Sequence, residues 1–447
     1  MSTPWVLALD VGSSSVRAQL YDARGRALDA PAAQVPVRWR THPRGAMEAD
    51  AGTLVRAALI ALDRAVEAAR AAKAEVAAVA VDTFWHGVMG VDGRGRPLTP
   101  LYAWGDTRAR EDAARLREMV DAEAAHARTG CFVHESYPAA KLVWLRRTQG
   151  DTFPRAAAWL SIGEHLGQRL FGARRTSLSM ASATGLLDVR ACRWDGEVLD
   201  ACGITEAHLP ELSDEPMRGL RPPFARRWPE LARVPWFPAL GDGACATLGS
   251  GAAEPGRMAL TVGTSAAVRV LLHDAAPRVP DGLWLYRLDA RRTVAGRALS
   301  NAGNTFAWLR RTLRLPRGDR LEAMLASAET ESPAHLDVIP TLLGERPPLS
   351  ERQDVATLAG MTMDTTPVEL WRAWLQAVAA RVADAVDAVE REYGRADEIV
   401  ASGGALHASD AFRRIVERAL GRPITLRDDV GDTARGAALV ALERIGA

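Results

Sequence analysis

An excess of charge of either sign is missing from this chain. Its 447 residues carry 56 Lys and Arg against 55 Asp and Glu, a formal net charge of +1, and no basic block stands out. The electrostatic footprint of a nucleic-acid binder is therefore absent. Cysteine is scarce: Cys131, Cys192, Cys202 and Cys245 show no CxxC spacing and no His-rich neighbourhood. That excludes a zinc ribbon or a disulfide scaffold and fits a reducing, cytoplasmic setting. No window approaches ~20 uninterrupted apolar residues, so no membrane span is expected. The first residues show no basic stretch followed by an apolar run, so secretion is not expected either. No low-complexity tail is visible. What remains is a chain long enough for two or three domains with ample core, acting on small molecules, and a homodimer is allowed.

What is present is a motif that occurs twice. Ala8-Leu9-Asp10-Val11-Gly12-Ser13-Ser14-Ser15-Val16-Arg17 is echoed by Ala259-Leu260-Thr261-Val262-Gly263-Thr264-Ser265-Ala266-Ala267-Val268-Arg269. Each copy holds an apolar strand, a Gly that can take φ > 0, a hydroxyl cluster and a second apolar strand. That is the composition of a β-hairpin whose turn offers N–H and hydroxyl groups to an anion. Two such turns predict two related α/β domains, 1–237 and 238–447, with a nucleotide between them. The flanking pattern agrees: strand alternation over 5–22, an amphipathic helix from about Ala51 to Lys73 and a buried strand over Val76–Val81. The second half predicts helices near Asn304–Leu313, Pro367–Tyr393, Ser409–Leu420 and Asp432–Ile445, with strands at Glu398–Ala401 and Pro423–Leu426. A Pro-studded stretch, Arg221-Pro222-Pro223 to Pro238, reads as the hinge.

Several residues are candidates for chemistry. Asp10, an acid at a strand end beside a phosphate turn, suits Mg²⁺, which takes one or two carboxylates plus phosphate oxygens; capping its own turn is the plainer reading. Asp242, flanked by Gly241 and Gly243, is placed to accept a proton from a hydroxyl attacking phosphorus, or to cap a helix. Ser402-Gly403-Gly404-Ala405 and Asn301-Ala302-Gly303-Asn304 would let a heterocycle or ribose approach the backbone, or are tight turns. His86, after Phe84-Trp85, and the trio Trp104, Asp106 and Arg108 offer hydrogen bonds and an aromatic wall to a polyhydroxylated ligand, His86 being equally readable as structural.

On these residues the chain resembles the FGGY family of carbohydrate kinases, within the actin-like and sugar-kinase fold, along nearly its whole length. The segment from Asp10 to Arg17 is similar to that family's first phosphate motif, Gly263-Thr264-Ser265 to its second, and Gly241-Asp242-Gly243 to its catalytic-base segment. Gly303, and Gly403 with Gly404, match its adenosine elements. The resemblance implies two RNase-H-like domains with a nucleotide cleft, ATP and Mg²⁺ as cofactors, and phosphoryl transfer to a sugar or sugar acid. Asp242 would be the base and Asp10 the metal ligand, with Gly12, Ser13, Ser14, Arg17, Gly263 and Thr264 holding phosphates. Within the family the chain looks like gluconate-kinase-like members. The segments are Thr129-Gly130-Cys131 with His134, Tyr137-Pro138 and Lys141; Ser161-Ile162-Gly163-Glu164; Ser179-Met180-Ala181-Ser182; Gly263-Thr264-Ser265 with Arg269; and Gly344-Glu345-Arg346. Ser177 stands where those relatives usually carry Asp. A carboxylate-bearing substrate calls for a cationic partner, for which Arg108 and Lys141 are the candidates, with His86 and Asp106 serving hydroxyls. A xylulose or other pentulose or polyol kinase is the competing substrate reading, and a non-catalytic ATP-binding regulator on the same fold the competing class.

Overall fold

In the computed structural model, residues 4–30, 32–316, 318–327, 335–347, 355–427 and 431–447 are described. Both copies of the repeated motif form antiparallel hairpins. The first pairs β1 (Trp5–Val11) with β2 (Ser15–Tyr21), and β3 (Ala33–Pro36) extends that sheet. The chain then enters α1 (Ala51–Ala71), whose first turn is capped by Asp50 accepting from Thr53 N–H at 2.7 Å. Leu54, Ala58, Leu62 and Val66 form the buried stripe that seats α1 on the sheet. β4 (Val76–Thr83) follows and lies parallel to β1, one short step longer than its apolar run suggests.

The Pro-rich stretch, read as the hinge, is packed against the first sheet. Met217 and Trp236 exchange backbone hydrogen bonds, Val79 N–H donates to Pro235 O, and Phe237 N–H donates to Val79 O, each within 2.9 Å. Trp228 and Trp236 are fully buried, and Trp228 Nε1–H reaches Asp63 at 2.9 Å. Prolines here shape a packed edge around two tryptophans. The chain only then adds β5 (Leu240–Gly241), parallel to β4, and α2 (Asp242–Gly249). By pairing and packing, β5 and α2 share the core of the first layer, so the boundary expected after residue 237 falls inside that layer.

The second copy pairs β6 (Arg257–Val262) with β7 (Ala266–Leu272). β8 (Trp284–Arg287) and β9 (Thr293–Leu299) continue on one side of it. Next come α3 (Gly303–Thr312) and α4 (Pro367–Tyr393), the latter opened by a Thr366/Glu369 capping box and laid across this sheet. β10 (Glu398–Ser402) and β11 (Thr425–Leu426) complete the sheet on the side of β6. The final helix, α5 (Asp432–Ile445), returns to pack on α2 and the first sheet. The strand orders are β5-β4-β1-β2-β3 and β11-β10-β6-β7-β9-β8. Apart from the extra edge strand β8, the second sheet repeats the first, which is the architecture of two related α/β domains that the doubled motif predicts.

Candidate active site

Ligands of open α/β sheets gather beyond the carboxyl ends of their parallel strands. In the first sheet those ends carry acids. The register sets Asp10 of β1 beside Asp82 of β4, and Asp82 beside Leu240 of β5, so Asp242 follows at the first position of α2. Asp82 is fully buried, its carboxyl set against that of Asp10. Burial, then the neighbouring charge of Asp10, pushes its carboxyl well above the usual range. Asp10 is raised to about 6, chiefly by burial, with Asp82 hydrogen bonding and Arg17 opposing and Asp242 adding to the rise. Burial also raises Asp242, while Arg269 draws it down. Asp82 was not among the residues read as functional in the sequence. Its signal was available, an acid ending a buried strand in the manner of Asp10, but the register that brings the two together is tertiary. At the same place in the second sheet the register pairs Thr261 with Ser402, hydroxyls 3.4 Å apart.

Three acids brought together at one strand end suit a hard divalent cation. Among the described residues no group of three or more His, Cys, Asp or Glu is spaced to cage a metal alone. Mg²⁺ ordinarily completes its shell with phosphate oxygens and water, so Asp10, with Asp82 behind it, would be what the protein offers such a cation.

Asp242 is held from several sides. Gly243 N–H donates to its Oδ1 at 2.8 Å. The Trp85 indole lies against the flanking glycines: a Cβ would sit 1.7 Å from its Nε1 at Gly241 and 2.3 Å from its Cζ3 at Gly243. Only glycine fits beneath that ring. Ser179 Oγ accepts from Gly241 N–H at 3.0 Å, and Ser177 Oγ donates to Ala239 O at 2.6 Å. Ser177 is buried and caps a short helix, so it steadies the strand that delivers Asp242.

The nucleotide candidates also converge. Gly263, Thr264, Gly303 and Gly404 border a cleft of about 440 Å³ walled by Phe306, Trp371 and Phe412. Gly303 N–H donates to Gly263 O at 2.9 Å and Asn304 N–H to Thr264 O at 3.1 Å, stapling the start of α3 onto the turn. Gly403 backs this cleft with φ +108°, where a Cβ would lie 2.4 Å from Val262 O. One expectation is corrected: neither Gly12 nor Gly263 has positive φ. Gly263 faces open space, so a side chain there would intrude on the cleft without straining the turn.

A second cavity, of about 90 Å³, lies between the domains. His86, His134 and Tyr137 line it from the first domain, and Ser265, Arg269, Tyr286 and Arg346 from the second. Contacts cross the cleft beside it: Tyr137 and Tyr286 hydroxyls 2.7 Å apart, Leu285 N–H to Gly130 O at 3.0 Å, and Arg287 N–H to Ser182 Oγ at 2.9 Å. His86 occupies a left-handed backbone conformation, φ +66°. Its Nδ1 lies 2.6 Å from Ala183 O, and burial pushes its pKa down to about 3. A neutral ring donating through Nδ1 leaves Nε2 as an acceptor for a hydroxyl.

Three substrate candidates stand elsewhere. Arg108 is bound to Asp106 and to Glu48 at 2.6 Å and stacks over Trp144 at 4.8 Å. Asp106 is buried, accepting from Met47 N–H at 3.0 Å as well as from Arg108. Lys141 is buried beneath the carbonyls of Glu135 and Ser136, and burial brings its pKa down to about 7. Each is hydrogen-bonded inside the protein, and none of the three lines the cavity. The cations that do face the cavity, Arg269 and Arg346, lie in segments singled out for family resemblance but were not read as binding residues. His134 was missed in the same way.

Two α/β layers of one strand order, with acids at the carboxyl end of the first sheet and a nucleoside-sized cleft in the second domain, define the sugar-kinase class of the actin-like fold. The chain belongs to the FGGY family of carbohydrate kinases: that family's N-terminal domain matches residues 5–249 and its C-terminal domain residues 258–443. It is 24% identical over 457 residues to gluconokinase of Bacillus subtilis (strain 168), covering 99% of this chain and 88% of the relative. Its fold matches xylulose kinase from Lactobacillus acidophilus with a TM-score of 0.88 at 23% identity, covering 99% of this chain and 90% of that one. Gluconate kinase from the same organism gives 0.86 at 23% identity over the same shares. The chain is thus a phosphotransferase with an alcohol group as acceptor. Among the described residues no helix is long and apolar enough to cross a membrane.

Proposed function

We propose that this protein transfers the γ-phosphate of ATP to a hydroxyl of a sugar acid, gluconate being the best-supported substrate. The observation that carries the reading is Asp242 at the carboxyl end of the first sheet, beside Asp10 and within electrostatic reach of the cavity's Arg269 and Arg346. The gluconokinase relative and the gluconate-kinase-like segments support the acid.

In this account the adenosine moiety occupies the cleft behind Gly303 and Gly404, and the phosphates lie against the Gly12 and Gly263 turns. Asp242 accepts the substrate hydroxyl proton as that oxygen bonds to the γ-phosphorus; the bridging P–O bond breaks and ADP leaves with its electron pair. Mg²⁺ held at Asp10 would neutralise charge on the phosphate oxygens. The interdomain contacts of β8 exclude water, so that the hydroxyl of the sugar acid is the acceptor.

The substrate reading is tested by kcat/KM for gluconate and D-xylulose side by side. Gluconate should exceed the neutral pentulose by ~10²-fold or more, since a pentulose leaves the cavity's cations unpaired. Xylulose used as well as gluconate would overturn the acid while leaving the kinase intact.

A further inference from the structure

Arginines around this site mostly have acids of their own. Arg110 pairs with Glu135, Arg128 with Asp195, and Arg381 with Glu345. Arg346 does not. Its guanidinium lies over the Trp104 ring at 5.1 Å, and among the described residues no carboxylate is within ion-pair reach. The acid next to it in sequence is already engaged, Glu345 accepting from Ser300 N–H and facing Arg381.

Arg269 enters the same cavity from β7. Its Nε is buried without a partner, and its Nη1 reaches only Thr261 Oγ1, at 3.3 Å. No carboxylate is among the cavity's lining residues. Two guanidiniums thus converge on one cavity, where Asp242 is an acid whose charge acts on both, and an anion in the cavity would relieve their mutual repulsion. His86 and His134 do not share this charge. Burial, aided by Arg346, holds both below their ordinary pKa. They remain neutral hydrogen-bonding groups suited to hydroxyls, so the positive charge resides on two rigid forks.

Building on the sugar-acid reading, we infer that Arg346 and Arg269 together clamp the substrate carboxylate, and that Arg346 sets the preference for an acid over a neutral sugar. Arg108 and Lys141, engaged inside the first domain, do not take that role. A planar guanidinium matches a carboxylate in bidentate fashion, which an ammonium cannot reproduce.

The test compares gluconate with glucitol, which differs only in carrying CH₂OH in place of the carboxylate. Arg346→Gln, Arg346→Lys and Arg269→Gln would be assayed on both, after circular dichroism and thermal melting establish that each is folded. Arg346→Gln should lower kcat/KM for gluconate by ~10²-fold, mostly through KM, and for glucitol far less, so that the acid-to-neutral ratio collapses. Arg346→Lys should fall between, and calorimetry without nucleotide should show gluconate binding weakened in parallel. Equal losses on both substrates for Arg346→Gln, with the wild type still preferring gluconate, would overturn the clamp but not the sugar acid. Equal losses for Arg269→Gln alone would assign that residue to phosphoryl transfer and overturn its share of the clamp. A wild type that prefers glucitol or another neutral polyol would overturn the sugar-acid reading itself.

Discussion

Asp242→Asn should leave the fold and ATP binding intact and lower turnover on the best substrate by ~10²-fold or more, the range for a lost general base. The amide fits the same space, and its oxygen can still accept from Gly243 N–H, so the helix start and the Trp85 contact are kept. What is lost is the lone pair that takes the hydroxyl proton. Steady-state kinetics with ATP titration separates the two effects: kcat should fall while KM for ATP stays within about twofold. Turnover near that of the wild type would remove Asp242 from the role.

The second large effect is expected at Asp10. Asp10→Asn should abolish Mg²⁺-dependent turnover, because the amide no longer offers the anionic oxygen that a hard cation prefers. Stability should move the other way. The folded-state pKa of Asp10, about 6, lies above its ordinary 3.8. Between those values the folded protein binds more protons than the unfolded chain, so this group's contribution to stability falls as pH rises from about 4 to about 6. At neutral pH without metal the charged group therefore costs stability. Removing it should stabilise the metal-free protein at pH 7.5 by on the order of 1–3 kcal/mol and flatten the pH dependence of its melting below pH 6. Thermal melts from pH 4 to 8 in EDTA, beside activity titrated with Mg²⁺, give both readouts. Unchanged Mg²⁺ dependence would show that the metal is held elsewhere.

Much of this arrangement is written locally in the sequence. An apolar run, a glycine, hydroxyls and another apolar run form a hairpin whichever copy is considered, and the flanking glycines of Asp242 are explained once Trp85 is seen lying on them. Glycines 303 and 404 meet at one cleft because each follows a strand end of the second sheet. Other features depend on which chain segments become neighbours. Asp82 acquires its significance only from the register of β4 on β1. Arg108 looks free in the sequence but is satisfied two residues away by Asp106, whereas Arg346 follows an acid that turns to Arg381 and has no ion-pair partner among the described residues. The proline-rich segment has the composition of a hinge, yet burial of Trp228 and Trp236 makes it a wall. The turn glycines were expected to need φ > 0; Gly263 matters instead because a side chain there would fill ligand space.

The central claim is that chemistry at Asp242 joins the γ-phosphate to a sugar-acid hydroxyl and does not release it to water. Phosphorus NMR of a reaction containing ATP, Mg²⁺ and gluconate tests it directly. The account predicts one phosphate ester of the acid formed for each ADP, no ADP without the acid, and loss of both signals in the Asp242→Asn variant. ADP and inorganic phosphate appearing at the same rate with or without any sugar or sugar acid would contradict it, and would point to an ATP-driven regulator on the same fold.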